Sequence, residues 1–348
     1  MKFPLSLLPL LFLFASCGEP SQEAMPTKFR IAFGSCAHQD EAQPMLDIAV
    51  AQKPDLFVYL GDNIYGDTYE MDTLRAKYAR LGARPEFQRL RAAMPVLAVW
   101  DDHDYGWNDS GRHYPLKEES KEIFMDFWQV PANSERWQHP GIYGVEYLEK
   151  DGYRIQLILL DTRTFRDDLY LRDTTDQRWK NDYMPNEYPD STFLGAAQWA
   201  WLEQRLQESA ELRIIATSNQ FSHEYNGWES WTNVPHERER MIQLIKNTGT
   251  EGVVFISGDV HWGEISRLEV TDNYPLYDVT SSGITSTWDS VEPNENRVGP
   301  VIRQNNIGLI QLEIGGEESL VELALIDLTG LRVAETQFEL EQLRKPLE

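Results

Sequence analysis

Cysteine is almost missing from this chain: 348 residues contain two, Cys17 and Cys36. Cys17 falls in an amino-terminal stretch that reads as a leader, which leaves Cys36 as a lone thiol and excludes an internal disulfide. Long hydrophobic runs are missing too. The apolar stretch from Phe3 to Phe14 is shorter than the roughly 20 residues that span a bilayer. Basic residues are scarce, 32 Lys and Arg against 56 Asp and Glu, for a formal net charge of -24. Nucleic acid and anionic lipid headgroups would be repelled and are disfavoured as partners. The same surplus suits a soluble surface and, locally, the binding of cations. No repeat of fixed period, low-complexity segment or twin-arginine pair occurs.

What is present begins with an address. Lys2, the apolar run to Phe14 and the small residues Ala15 and Ser16 compose a secretory signal. Phe14-Ala15-Ser16-Cys17 resembles a bacterial lipobox, which implies lipid attachment at Cys17 after cleavage, export, and a periplasmic or cell-surface location. Phe14 stands where an aliphatic residue is usual, and a plain signal peptide is the alternative. Residues 18–27, with two prolines and mostly small or polar side chains, read as a tether. The expected organisation is therefore signal peptide with lipobox cysteine at 1–17, tether at 18–27, and one domain over 28–348.

Within that domain, short apolar runs break abruptly into polar clusters. The sharpest case is residues 96–109, VLAVWDDHDYGWND. Val96–Val99 reads as a buried strand. Asp101, Asp102, His103 and Asp104 follow it, and buried together they would repel one another without a counter-charge. A solvated acidic loop and a cation site at a strand's carboxyl end both fit this stretch taken alone. The pattern recurs, however. Residues 29–34 end in Gly34-Ser35-Cys36, and Leu56–Leu60 ends in Gly61-Asp62-Asn63-Ile64-Tyr65-Gly66-Asp67. Leu212–Thr217 ends in Ser218-Asn219-Gln220, and Val253–Ile256 ends in Ser257-Gly258-Asp259-Val260-His261. Helical periodicity between them, at 41–52, 72–93, 198–210 and 235–247, gives the alternation of a layered α/β sheet. A hairpin about Asp151-Gly152 and alternating strands after Trp262 complete the reading. Residues 166–193, polar and aromatic, read as an ordered excursion near the mouth of a site.

Singly, each strand end is unremarkable, since an Asp after a strand is commonly a helix cap or a turn former. Five of them at equivalent places point to one site, because a parallel sheet gathers its carboxyl ends along one edge.

The series GSC, GDNIY, WDDHD, SNQ and GDVH resembles the alkaline phosphatase D (PhoD-like) family of calcineurin-like metallophosphoesterases. Trp107-Asn108-Asp109, Leu160-Asp161-Thr162-Arg163 and Thr280-Ser281-Ser282-Gly283 extend the likeness over most of the chain from Phe29 onward. The resemblance implies a four-layer fold, two stacked mixed β-sheets flanked by α-helices, with two or more metal ions at the strand ends. It implies Asp62 as the bridge between two metals, with Cys36, Tyr65 and His261 on the first and Asp102, Asn219 and Asp259 on the second. Thiolate and phenolate favour Fe3+ at the first position. The all-oxygen set suits Ca2+, or Mg2+ or Mn2+, at the second. His103 is expected as proton donor to the leaving oxygen, with Asp104 beside it as orienter. Arg163 is expected either to grip the phosphate or to sit in an ion pair.

The separate amino-terminal β domain of many members of that family has no counterpart here. The expected activity is hydrolysis of phosphate mono- or diesters through a metal-bridging hydroxide, with a phosphate-ester substrate as partner and the membrane met only through the lipid anchor. The alternative is a non-catalytic surface lipoprotein that keeps the residues as a structural metal clasp; another metal hydrolase, such as an amidase, ranks behind both.

Overall fold

The computed structural model describes residues 25–345. The expected signal peptide, Cys17 and most of the tether lie outside them. Thr27, placed by the sequence at the tether's end, already pairs with Ile314 in a strand.

Among the described residues, fourteen strands and seven α-helices follow in chain order. The first sheet is built on β1 (Thr27–Gly34), β2 (Leu56–Leu60) and β3 (Val96–Val99), which are parallel. It continues on the other side of β1 with β12 (Asn306–Ile314), β13 (Leu320–Asp327) and β14 (Arg332–Glu339), all antiparallel. The second sheet has the order β10 (Gly263–Leu268), β11 (Leu276–Ser281), β9 (Val253–Ser257), β8 (Leu212–Ala216), β5 (Tyr153–Leu159), β4 (Gly144–Lys150). Its centre, β11-β9-β8-β5, is parallel and its two edges are antiparallel. A two-stranded ribbon, β6 (Tyr170–Leu171) with β7 (Tyr183–Met184), lies in the polar excursion.

The sheets meet where β11 lies against β1, β12 and β13, and β10 against β13 and β14. Strands β2, β8 and β9 are buried along their whole length, which is why they read as unbroken apolar runs rather than alternations. Helices α1 (Pro44–Ala51), α2 (Met71–Ala83), α3 (Pro85–Ala93), α4 (Asp102–Tyr105) and α5 (Lys117–Phe127) connect the elements of the first half. Helices α6 (Gly195–Leu206) and α7 (Pro235–Thr248) pack on each other beside the second sheet.

Local chemistry explains the boundaries. Pro85 holds Arg84 extended (φ -64°, ψ 127°) and so separates α2 from α3. Gly249, left-handed at φ 63°, closes α7. Asp151 and Gly152, both at positive φ, form the two-residue turn of the β4–β5 hairpin. Among the described residues no helix is long and apolar enough to cross a membrane.

The expected four-layer architecture of two stacked mixed sheets with flanking helices is therefore what the chain adopts. Its consequence for chemistry is positional: β1, β2, β3, β8 and β9 all end at one edge.

Candidate metal centre

Three of those strands, β1, β2 and β9, deliver their polar residues through a sharp reversal. Cys36, Asp62, Asp259 and His261 all hold left-handed backbones, with φ of 60°, 49°, 70° and 62°. Non-glycine residues seldom adopt this conformation, and clusters of it mark functional loops. Gly61 at φ 96° makes the reversal after β2 possible. A Cβ there would lie 2.5 Å from that of Asp101, so only glycine lets the ends of β2 and β3 approach.

The strand ends bring several of the expected residues together, with Asp101 and His103 among them. Ligand atoms of Cys36, Asp62 and His261 lie within 4.8 Å of one another, as do those of Asp62, Asp101 and Asp259, and those of Asp62, Asp102 and His103. Cys36 Sγ is 3.5 Å from Asp62 Oδ2 and 3.0 Å from Ser282 Oγ. Asn219 Nδ2 donates to Asp259 Oδ2 at 3.4 Å. Tyr65 is packed between two imidazoles, 5.1 Å from the ring of His38 and 4.4 Å from that of His103.

These groups are buried and incompletely partnered. Asp62 Oδ1, Tyr65 Oη, Asp102 Oδ1, Asn219 Oδ1 and His261 Nδ1 have no hydrogen-bond partner. Buried polar atoms are nearly always satisfied in folded proteins, so five orphans around one point call for a ligand. Burial, then the charges of Asp102, Asp101 and Asp104, push the Asp62 carboxyl well above its ordinary range, against the opposing pull of His103. Asp259 is raised in the same sense by burial and by Asp101 and Glu229. Burial and Asp62 raise the Cys36 thiol, and burial with Cys36 and Asp62 raises the Tyr65 phenol. Burial holds His261 down at about 4, so its imidazole is neutral and able to coordinate. Cations fit this donor set, because they would satisfy the orphans and take up charge that His103 and Arg163 balance only in part.

His103 stands at the rim, its side chain 17% exposed. Burial disfavours its proton, but Asp102, Asp62 and Asp67 outweigh that and raise it to about 11. The expected orienter, Asp104, does not serve. Asp67 holds His103 Nδ1 at 2.8 Å. Neighbouring residues on a helix do not face each other. On α4, Asp104 turns inward, accepting from Asp101 N at 2.7 Å, Asn63 Nδ2 at 2.5 Å and Tyr78 Oη at 3.1 Å.

Arg163 also departs from one of its two expected roles. Its guanidinium is fully buried and gripped by Asp101 and by both oxygens of Glu229. Glu229 in turn binds the buried Arg166. Burial opposes the charge on Arg163, yet Asp101, Glu229 and Asp102 hold it firmly protonated. It does not line the cavity over the strand ends, so it is a buried ion-pair partner rather than a grip on phosphate. Its backbone is fixed by Asp161, which accepts from Arg163 N and Thr164 N, each at 2.9 Å.

Five cavity residues carry no signal in the sequence. Asp182, Tyr183, Trp228, Glu229 and Trp288 all line the cavity, but they come from loops, or for Tyr183 from the two-residue strand β7, without periodicity or motif. Asp67 sat in plain view at the end of the Gly61–Asp67 run.

Comparison with known proteins bears on the family and the fold. The model of the PhoD-like phosphatase family matches residues 146–312. Alkaline phosphatase D of Bacillus subtilis (strain 168) is 27% identical over 72% of this chain and 49% of its own length. The chain thus spans about half the length of that curated relative. A solved structure of PhoD superposes with a TM-score of 0.68 at 19% identity, over 91% of this chain and 73% of that one. A dimetal phosphatase from Danio rerio gives 0.51 at 14% identity, over 91% and 99%. GAP50, the anchor in the inner membrane complex of Plasmodium, gives 0.54 at 11%, over 90% and 89%. The fold is that of the metallophosphoesterases, and the likeness to the PhoD-like family expected from the motifs holds in both sequence and structure.

Proposed function

From the match to the PhoD-like phosphatase family together with the orphaned donors at the strand ends, we propose that this chain is a metal-dependent phosphoesterase acting on phosphate mono- or diesters. The observation that carries the reading is the cluster of buried, unpartnered oxygen and nitrogen atoms opening into a cavity. Cys36, Tyr65, His261 and Asp62 would hold one cation, for which Fe3+ suits the thiolate and phenolate. Asp62, Asp102, Asn219 and Asp259 would hold a second, Ca2+ or a similar hard ion. When bound, the cations neutralise the phosphate and acidify the attacking water.

The chain's own residues supply the rest. Asp62 belongs to both donor groups and would be shared between them. Asp67 fixes the His103 imidazole through Nδ1, leaving Nε2 to protonate the departing alcohol. Asp102, Asp62 and Asp67 are the charges that favour the His103 proton, so the imidazole would enter the reaction as the proton-bearing form. A structural metal clasp would need neither the cavity nor a non-ligating histidine at its rim, so the catalytic reading is preferred.

Export through the leader at 1–17, with lipid attachment at Cys17, is part of the proposal. Cys17→Ser should move the protein from membranes to the soluble fraction. The deciding experiment is metal analysis of protein purified without chelators, paired with release of phosphate or alcohol from mono- and diesters. Hydrolysis that disappears on chelation and returns with metal is expected; bound metal with no hydrolysis of any ester would establish the clasp instead.

A further inference from the structure

The cavity above the strand ends has a volume of about 220 Å³, less than the roughly 300–1,000 Å³ that houses drug-sized ligands. It has room for a phosphate and a short alcohol. Beyond the proposed ligands and His103 its lining is mostly aromatic and acidic: Tyr183, Trp228 and Trp288 with Asp109, Asp182 and the arginine-bound Glu229, joined by Asn108 and Val260. No lysine or arginine side chain takes part among the described residues.

The aromatic wall is built rather than incidental. Trp288 stacks one face on His261, centroids 4.9 Å apart and planes at 13°. Trp228 meets it edge-on at 5.6 Å. The amides of Asp182 and Tyr183 both donate to the Gly227 carbonyl, at 3.1 and 2.9 Å, which anchors that pair beside Trp228. The Tyr183 hydroxyl donates to Asp109. Trp288 remains 41% exposed, an indole held in place with surface to spare.

Indole and phenol faces attract cations, and compact alkylammonium groups are the ligands such walls recognise. The exposed carboxylate of Asp182 reinforces that preference, whereas Asp109 is pushed up to about 7 by burial and is tied to Tyr183. Asp182 would repel a leaving group carrying phosphate or carboxylate, as would the overall charge of -24. A purely apolar alcohol would meet the rings but gain nothing from Asp182.

We infer that the site selects phosphate esters whose alcohol bears a compact cationic nitrogen, with Trp288, Trp228 and Asp182 as the specificity-determining residues. This rests on the phosphoesterase reading above. Hydrolysis adds water across the P–O bond: the attacking oxygen joins phosphorus and releases a proton to solvent. The alcohol oxygen departs with its bonding pair and takes the proton held by His103. The ammonium group is unchanged and serves only to place the alcohol.

The test compares isosteres on the metal-loaded protein. Choline phosphate and 3,3-dimethylbutyl phosphate differ only by nitrogen for carbon, and their methyl diesters form a second pair. The ammonium ester should show a kcat/KM at least about tenfold higher, the scale of one cation–π contact. Asp182→Asn and Trp288→Leu, both at exposed positions, should each shrink that ratio toward one, and tetramethylammonium should compete where tert-butanol does not. Equal or inverted ratios in the unmodified protein, or a ratio untouched by both substitutions, would overturn the inference while hydrolysis of nitrophenyl phosphate left the phosphoesterase reading standing. Loss of nitrophenyl phosphate hydrolysis as well would sink both. Phosphatidylcholine vesicles set against methyl phosphocholine separate a membrane headgroup from a soluble ester as the source of the cation.

Discussion

Two groups of buried acids lie side by side at the sheet edge and are handled in opposite ways. In the first, Asp101 and Glu229 face Arg163 and Arg166, two carboxylates against two guanidinium groups, all essentially out of water. In the second, Asp62 and Asp259 share their space with Cys36, Tyr65 and His261 and have no basic side chain bound to them. The first group is neutralised by its arginines, with only Asp101 Oδ2 and Arg166 Nε left without a hydrogen-bond partner. The second has no such counter-charge, and under the function proposed above cations would supply it. Asp102 touches both, 3.7 Å from Arg163 Nη2 on one side and within ligand distance of Asp62 on the other. The difference teaches what a charge cluster must show before it counts as a metal site: an excess of acid matters less than acid for which the protein provides no partner.

Four experiments would break or sharpen that contrast. The largest effect is expected from Arg163→Met, which strips the counter-charge from Asp101 and Glu229. Removing one partner of a buried pair typically costs about 3–5 kcal/mol, so denaturant unfolding should show a fall of that order whether or not metal is present. A loss below about 1 kcal/mol would mean the first group is not closed by its arginines.

Asp62→Asn should do the converse. Metal content and turnover of every ester should fall together to background, while the metal-free protein is no less stable than its parent, since a buried carboxyl without a counter-charge has been removed. Retained metal at full stoichiometry would exclude Asp62 as the bridge.

His103→Ala should keep the metals and lose about 10²–10⁴-fold in rate on alkyl esters, the usual contribution of general-acid catalysis. The loss on nitrophenyl esters should be much smaller, because that leaving group needs little protonation. Metal lost in step with activity would make His103 a ligand. Asp67→Asn should act in the same direction and more weakly, whereas Asp104→Asn should show itself in stability.

The smallest effect is one of pH. Asp62 and Asp259 are raised in the metal-free fold, so their neutral forms are the ones the fold favours. Their contribution to stability is fully present below the ordinary carboxylate range and is lost as pH rises through the raised values. Chelator-treated protein should therefore lose thermal stability on going from acid toward neutral pH, and the gap between metal-loaded and metal-free melting temperatures should widen over the same interval. A gap independent of pH would mean that the second group is not ionised by its cations.

How much of this could be read beforehand depended on how local the information was. Cys36, Asp62, Tyr65, Asp102, Asn219, Asp259 and His261 are legible because each follows an unbroken apolar strand within a few residues, and parallel strands must end together. Arg163 was found in the right place, but its partner Glu229 is 66 residues away in a loop with no pattern, so its engagement could not be seen. Asp104 was misassigned because adjacency in sequence suggested adjacency to His103, whereas a single turn of helix sends the two side chains in different directions. The aromatic wall was invisible for the same reason as Glu229: tryptophans in irregular loops announce neither face nor depth.

The position of β1 carries a consequence in time. It lies between β2, residues 56–60, and β12, residues 306–314, so the middle of the first sheet cannot close until a partner some 280 residues downstream has emerged. Pairings of such long range form slowly, and the segments awaiting them are exposed to misassociation meanwhile. A chain cut short before β12 would leave β1, and with it the turn that carries Cys36, held in its sheet on one side only, by β2.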